Sequence, residues 1–356
     1  MRRAREIWPD AVIDVLGYER TMGMLAGNLD VDAVIESPEH PRWPEYRELI
    51  KRIFRQYDLA IVAQPSDRAH IYGLLAAPTR VGIVSNRFAH NWWKKLVSLR
   101  TVEIDYWQQH VVIERLRLLQ FAREEHFRND GHEKVSVLPP SRESLPRELA
   151  EFVLGHRSVV IHATPMWRFK RWPVDHWADL VVYFLESGRR VILTGSSSHQ
   201  DLILNGEIMG RLSSHPKKPS LASVRNFAGA LNLGQTCELV SVSDVYVGVD
   251  TSITHLAAAC GVRTFALFGA TPPTNFGPWP YATSVQANHQ TVWSLRGDES
   301  SDGSRGQTLG NVTIIQGPGD CVPCRRAGCL DKFESHSDCL DRLSPEAVIS
   351  WISRAA

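Results

Sequence analysis

The strongest constraint on this fold is the run VYVGVDTSITHLAAACGVRTFALFGATPPTNFGPW at residues 245–279. It opens on a short apolar segment, 245–249, of the kind buried on both faces of a parallel sheet. Asp250, Thr251 and Ser252 follow at once, and Asp, Thr and Ser cap helix N-termini. Small and apolar residues at helical spacing then run to Cys260, and Gly261 stands where a glycine stops a helix. Residues 264–268 form a second apolar strand, left through Gly269, Ala270, Thr271 and two prolines. The stretch reads as two parallel strands joined by a crossover helix, the repeating unit of an α/β fold.

A helix that starts at the carboxyl end of a parallel strand presents unpaired N–H groups and the positive end of its dipole. Phosphate binds in such a place. Asp250, Thr251, Ser252, Thr254 and His255 add hydrogen-bonding side chains there. The same residues would also cap a helix in an α/β domain that binds nothing. Gly269 and Thr271, at the end of the next strand, turn the reading toward a ligand, because open parallel sheets bind at adjacent strand ends.

The chain has 356 residues, enough for two domains. A net charge of +1 gives no field that would draw nucleic acid. No apolar run approaches the roughly 20 residues that span a bilayer. The N-terminal MRRAREIWPD has basic residues with no apolar region behind them, so it is not a secretory signal and a cytoplasmic location is expected. Eleven tryptophans leave peripheral contact with a membrane open.

Strands and helices alternate along the chain, which predicts parallel sheets. Before the linker Pro139-Pro140-Ser141-Arg142, strands are expected over 11–16, 33–36, 58–63 and 79–84. Helices are expected over 19–28, 44–57, 69–76, 88–98 and 110–127, with Trp92 and Trp93 packed and Lys94 and Lys95 solvated. After the linker come a helix over 145–154, a strand over 158–162 and a long turn over 163–172. Pro173 then stands near the first position of a helix reaching about 187, followed by a strand over 190–193. Lys170 and Arg171 on the long turn suit phosphate, or form a solvated basic loop. Ser196, Ser197 and Ser198 follow Gly195 as a helix cap. A turn at Leu231 precedes a helix over 238–243; residues 295–311 read as a mobile polar loop, and Ser344-Pro345-Glu346 begins a C-terminal helix.

Six cysteines without a secretory signal read as thiols or metal ligands. Cys321, Cys324, Cys329 and Cys339 contain one CxxC pair, and four thiolates suit structural Zn or Fe. Free thiols or a disulfide pair are the other readings. Cys237 and Cys260 are expected to be buried thiols. No GxGxxG follows a predicted strand, which disfavours a nicotinamide dehydrogenase.

Taken together, these motifs resemble the lipopolysaccharide heptosyltransferases of glycosyltransferase family 9 over nearly the whole chain. The family's D-[TS]-G-x-[ST]-H-L-A-A-A signature stands as Asp250–Thr251–Ser252–Ile253–Thr254–His255–Leu256–Ala257–Ala258–Ala259, and its LFG-x-T stands at 267–271. Its H-x-[GT]…K-x-WP turn stands as His162, Ala163 and Thr164, then Lys170, Arg171, Trp172 and Pro173. Its LTG is Leu193, Thr194 and Gly195, and the late cysteine group also matches.

The resemblance implies the GT-B fold: an acceptor-side Rossmann-like domain over 1–140, and a nucleotide-sugar domain over 141–343 facing it across a cleft. A helix over 344–356 would pack back toward the first domain. It implies transfer of heptose from ADP-heptose, with inversion, to a glycolipid or saccharide acceptor of lipopolysaccharide-core type at the inner face of the inner membrane. Asp250, Thr251, Ser252, Thr254, His255 and Gly269 would hold the donor, with Thr164 beside Lys170 and Leu231 against adenine. Lys170 and Asp250 would act in catalysis, and no cofactor or divalent metal would be required. Three departures stand out. Ser252 replaces the signature glycine. No acid is clearly placed after LTG, where His199, Gln200 and Asp201 lie. The family's first strand and Gly-Asp loop, which carries the aspartate taken as general base, precede the segment matching residues 7–15. The sequence is expected to lack that loop, and spacing does not support Asp14 in its stead. The alternatives are a non-catalytic nucleotide-sugar-binding homologue, or a member with another donor or acceptor.

Overall fold

The computed structural model describes residues 1–85, 88–104, 109–122, 132–134, 137–286 and 291–355. The chain divides into two compact units: Met1–Glu133 with Val285–Val292, and Lys134–Ser284 with Trp293–Ala356. The linker expected at 139–142 therefore lies inside the second unit.

The first unit contains two parallel sheets. In one, β1 (Asp14–Tyr18) pairs with β2 (Ala33–Ser37); in the other, β3 (Leu59–Val62), β4 (Thr79–Val84) and β5 (Arg100–Glu103) lie side by side. Helices α1 (Arg2–Ile7), α2 (Glu19–Met22), α3 (Trp43–Ile53), α4 (Asp67–Ala76), α5 (Phe88–Val97) and α6 (Val111–Ala122) alternate with these strands. Leu49 and Ile53 of α3 pack on Ile35, Tyr72 and Ala76; Leu118 of α6 packs on Val81, Ile83 and Val102. The helix expected over 19–28 is short because Gly23 and Gly27 interrupt it, and Gly27 takes the left-handed φ of 66°. The last five residues of the helix expected over 110–127, residues 123–127, fall outside the described residues. In α5 the expectation for Lys94 is overturned. Its ammonium is buried, pairs with Asp67 at 2.8 Å and donates to Pro65 O at 2.6 Å, while Trp92 is the exposed residue. A buried ammonium needs such partners.

Short strands β6 (His132–Lys134) and β12 (Ser284–Gln286) pair with each other. The second unit is organised by one eight-stranded sheet. Its strands are β7 (Ser158–His162), β8 (Arg190–Thr194), β9 (Val224–Asn226), β10 (Val245–Val249), β11 (Arg263–Phe268), β13 (Asp298–Glu299), β14 (Arg305–Leu309) and β15 (Val312–Gln316). Their order is β13-β14-β15-β11-β10-β7-β8-β9, parallel from β15 to β9. Every residue of β7, β10 and β15 is buried, as their apolar sequences require. The helices are α7 (Arg147–Val153), α8 (Val174–Glu186), α9 (His199–Ser213), α10 (Leu233–Val242), α11 (Ser252–Cys260), α12 (Pro273–Phe276), α13 (Asp338–Asp341) and α14 (Pro345–Arg354). Ser198 caps α9 by accepting the Asp201 N–H at 3.2 Å, as its sequence position predicts.

One expectation changes here. Residues 295–311 are not a loop throughout: β13 and β14 add an antiparallel edge to β15. Their polar residues are used for packing. Arg305 is buried, pairs with Glu299 at 3.0 Å and donates to Gly319 O at 3.0 Å. Gly306 has no side chain because the Trp351 ring occupies that space. The C-terminal helix α14 is built into the core of the second unit. Its Ala347, Val348 and Ile352 belong to the core with Trp172, Trp177, Leu180 and Phe184. Among the described residues, no helix is long and apolar enough to cross a membrane.

Candidate donor site

The carboxyl ends of β8, β7 and β10 lie side by side, and the functional candidates project from them. Asp250 follows β10 directly and is buried; Lys170 comes from the long turn after β7. Lys170 Nζ lies 2.6 Å from Asp250 Oδ2, and His255 Nε2 lies 3.9 Å from Asp250 Oδ1. Burial alone would raise the pKa of Asp250. The neighbouring His255 ring and the Lys170 ammonium outweigh it and hold the carboxyl well below the usual carboxylate range. Lys170 is the direct partner, since 3.9 Å is beyond hydrogen-bond reach. The carboxylate is therefore a fixed negative charge that aims the ammonium.

Helix α11 starts beside this pair. Thr251 occupies its N-cap, yet its side chain makes no capping bond. Ser252 opens the helix and is exposed, so neither side chain covers the helix end. Gly261, at φ 80°, closes the far end as its position predicts. At the end of β7, the buried Thr164 Oγ1 has no hydrogen-bond partner among the described residues. Gly195, at the end of β8, lies against it: a Cβ there would stand 3.2 Å from that oxygen. An orphaned buried hydroxyl costs stability unless something binds it. Leu231, half-buried, leads into Asn232, whose capping box with Gln235 opens α10.

Two candidates are placed elsewhere. Thr254 is fully buried; its hydroxyl donates to Val249 O at 2.5 Å and lies 3.0 Å from Tyr246 Oη. Its N–H donates to Thr251 O, so Thr254 braces the turn from within. Gly269 is buried under the cysteine-rich segment. A Cβ there would lie 3.0 Å from Leu340 and 3.2 Å from Cys339 Sγ, so this glycine serves packing.

Asp201, the nearest acid after Leu193-Thr194-Gly195, accepts from the Ser196 backbone and hydroxyl at 2.7 and 2.8 Å. Asp14 opens β1 and accepts the Tyr57 hydroxyl at 2.6 Å. It therefore sits at the amino end of its strand, opposite the end where open sheets bind ligands. Burial and the bond to Asp14 push the Tyr57 hydroxyl up to about 12.

His162, matched above to the histidine of the family's turn motif but given no role there, ends β7 near the site. It is buried, and its Nδ1 lies 3.0 Å from Thr194 Oγ1. A titratable residue closing an otherwise apolar strand was the available signal.

The four-cysteine metal reading is also revised. Among the described residues, no three of Cys321, Cys324, Cys329 and Cys339 bring their sulfurs within 4.8 Å of one another. Cys339 is turned inward under Gly269, where burial, reinforced by the other three cysteines, pushes its thiol up to about 12. Cys237 and Cys260 are free thiols 3.5 Å apart, joining α10 to α11.

Two units built on parallel sheets, matched over nearly the whole chain by a solved heptosyltransferase structure, give the chain the GT-B fold, with the lysine–carboxylate pair and a helix N-terminus at the strand ends of the second unit. The family model of glycosyltransferase family 9 (heptosyltransferase) matches residues 46–302, and the chain belongs to that family. It is 24% identical over 283 residues to lipopolysaccharide heptosyltransferase 3 of Escherichia coli K12, covering 77% of this chain and 78% of the relative. It is 26% identical over 350 residues to lipooligosaccharide heptosyltransferase 2 of Haemophilus ducreyi, covering 91% and 94%. The structure of E. coli ADP-heptose lps heptosyltransferase II matches with a TM-score of 0.66 at 19% identity, over 99% of this chain and 92% of the other.

Proposed function

We propose that this chain transfers heptose from ADP-heptose to a lipopolysaccharide-core acceptor, with inversion, at the inner face of the inner membrane. The observation that carries the reading is the Lys170–Asp250 pair, 2.6 Å apart beside the start of α11. A diphosphate there meets an ammonium, the N–H groups of a helix and the Thr164 hydroxyl. These stabilise the charge that develops as ADP departs, in the role a divalent cation fills elsewhere. Thr251, Ser252 and His255 lie at the same point for the phosphates and sugar, and the Leu231 turn for adenine. The names of the relatives above support the donor and acceptor classes. Inverting displacement needs a base at the acceptor hydroxyl; no residue above is assigned that role.

Titration calorimetry in EDTA is expected to show ADP binding, and transfer to a lipid-linked core acceptor is expected to proceed in EDTA as well. Absence of ADP binding would end the proposal; binding without transfer would leave a nucleotide-sugar-binding homologue. Thr164→Val gives a sharper test. Removing a buried, unpartnered hydroxyl should leave stability in urea unchanged or raise it by about 1 kcal/mol. The same change should weaken ADP binding about tenfold, because a hydrogen bond to a charged group is lost. Loss of stability with unchanged ADP affinity would remove Thr164 from the site.

A further inference from the structure

The cysteine-rich segment gathers a ligand set different from four sulfurs. Cys329 Sγ, a ring nitrogen of His336 and a carboxylate oxygen of Asp338 all lie within 4.8 Å of one another. His336 Nε2 is 2.9 Å from Asp338 Oδ1. The backbone holds this arrangement: the Cys329 N–H donates to His336 O at 2.9 Å, and the Asp338 N–H donates to Cys329 Sγ at 3.3 Å. All three residues are exposed, so an ion can enter from solvent.

We propose that Cys329, His336 and Asp338 bind one divalent ion of the zinc class, with water in the fourth position. Sulfur, imidazole and carboxylate together suit a borderline ion; Mg²⁺ and Ca²⁺ prefer oxygen alone. Tetrahedral bonds to zinc place such ligand atoms about 3.3–3.6 Å apart. The His336–Asp338 contact opens slightly to admit the ion, and Cys329 closes on it, both by rotation of exposed side chains. On binding, the Cys329 S–H bond breaks, its proton passes to solvent and an S–metal bond forms. The thiolate and carboxylate charges then balance the ion. The N–H of Asp338 supports the sulfur from outside the coordination sphere.

The ion would brace the turn that carries Lys170. Ser337, between two of the ligands, donates to Phe169 O at 2.6 Å, and Phe333 stacks on Trp167 with ring centroids 4.3 Å apart. Gly328, next to Cys329, lies so close to Phe169 that a Cβ there would stand 2.8 Å from its Cβ. Phe169 directly precedes Lys170. Metal binding itself does not depend on the donor assignment.

The test is Co²⁺ titration of the full, reduced, chelator-stripped chain. A sulfur-to-cobalt charge-transfer band should grow to a single ion per chain and vanish on adding Zn²⁺. Cys329→Ser should abolish the band, while Cys324→Ser leaves it unchanged. His336→Ala and Asp338→Asn should each weaken Co²⁺ binding about tenfold or more. Zn²⁺ should raise the melting temperature of the unmodified chain and leave that of His336→Ala unmoved. Absence of the band, or its survival in Cys329→Ser, overturns the site. Should Cys329→Ser fail to fold, His336→Ala decides, and unchanged Co²⁺ affinity there overturns it equally.

Discussion

Lys170→Ala is expected to lower heptose transfer by about 10²–10³-fold, the usual cost of removing one preorganised group that stabilises developing charge. It should also destabilise the second unit. Asp250 is buried and held ionised by a partner 2.6 Å away, so removing the ammonium leaves a buried charge uncompensated. Breaking a fully buried pair costs about 3–5 kcal/mol. Lys170 keeps a quarter of its side-chain surface exposed, so water reaches the carboxylate and a loss of about 2 kcal/mol is the reasonable figure. The double change Lys170→Ala with Asp250→Asn separates the two effects. It removes the stranded charge, so urea stability should recover while transfer stays low. Full transfer activity in Lys170→Ala would remove this lysine from the chemistry. Equal stability of single and double variants would show that Asp250 does not need it.

The second unit was legible at β7, β8, β10 and β11, whereas the equally buried β15 was not, because Thr313 and Gln316 break up its short apolar run. The runs ending in His162, Thr194, Val249 and Phe268 carry unbroken apolar residues, and the polar residues that follow them mark the ligand end of the sheet. Strand β5 was not legible, because RTVE buries only Val102. Strands β13 and β14 were hidden for another reason. Glycine and charge read as flexibility, whereas Gly306 makes room for Trp351 and Arg305 is neutralised by Glu299. Within the site, a cap sequence reveals where α11 starts but not which side chains face inward. Packing against Tyr246 turns Thr254 toward the core. The partner of Asp250 is 80 residues away and comes from a turn whose conformation no local pattern sets. The metal ligands were obscured by the expectation that cysteines bind together: Cys339 is consumed by packing, while a histidine and an aspartate outside the CxxC pattern stand beside Cys329.

Acidification should weaken the second unit through His162, the residue that closes β7. Its hydrogen bonds place a proton on Nδ1, and burial favours the neutral ring. Thr194 donates to Ile161 O at 3.3 Å, so its oxygen accepts from His162 Nδ1–H at 3.0 Å. Burial lowers the ring's pKa to about 4, against a small opposing pull from Asp201. In the unfolded chain the value returns to about 6.5. Between those limits the unfolded state binds a proton that the folded state refuses. Unfolding free energy therefore falls as pH drops from about 6.5 to about 4, by about 3 kcal/mol in all, and His162 contributes no slope above that window. Other histidines titrate in the same range, including the buried His70, whose pKa burial also lowers. The quantity to read is thus the difference between two urea-stability curves, unmodified and His162→Asn. Asparagine keeps an N–H for Thr194 and carries no titratable ring, so the curves should converge as pH falls. Curves that stay parallel from pH 7 to pH 4 would show that the ring already accepts its proton inside the fold, and that the closed end of β7 is open to water.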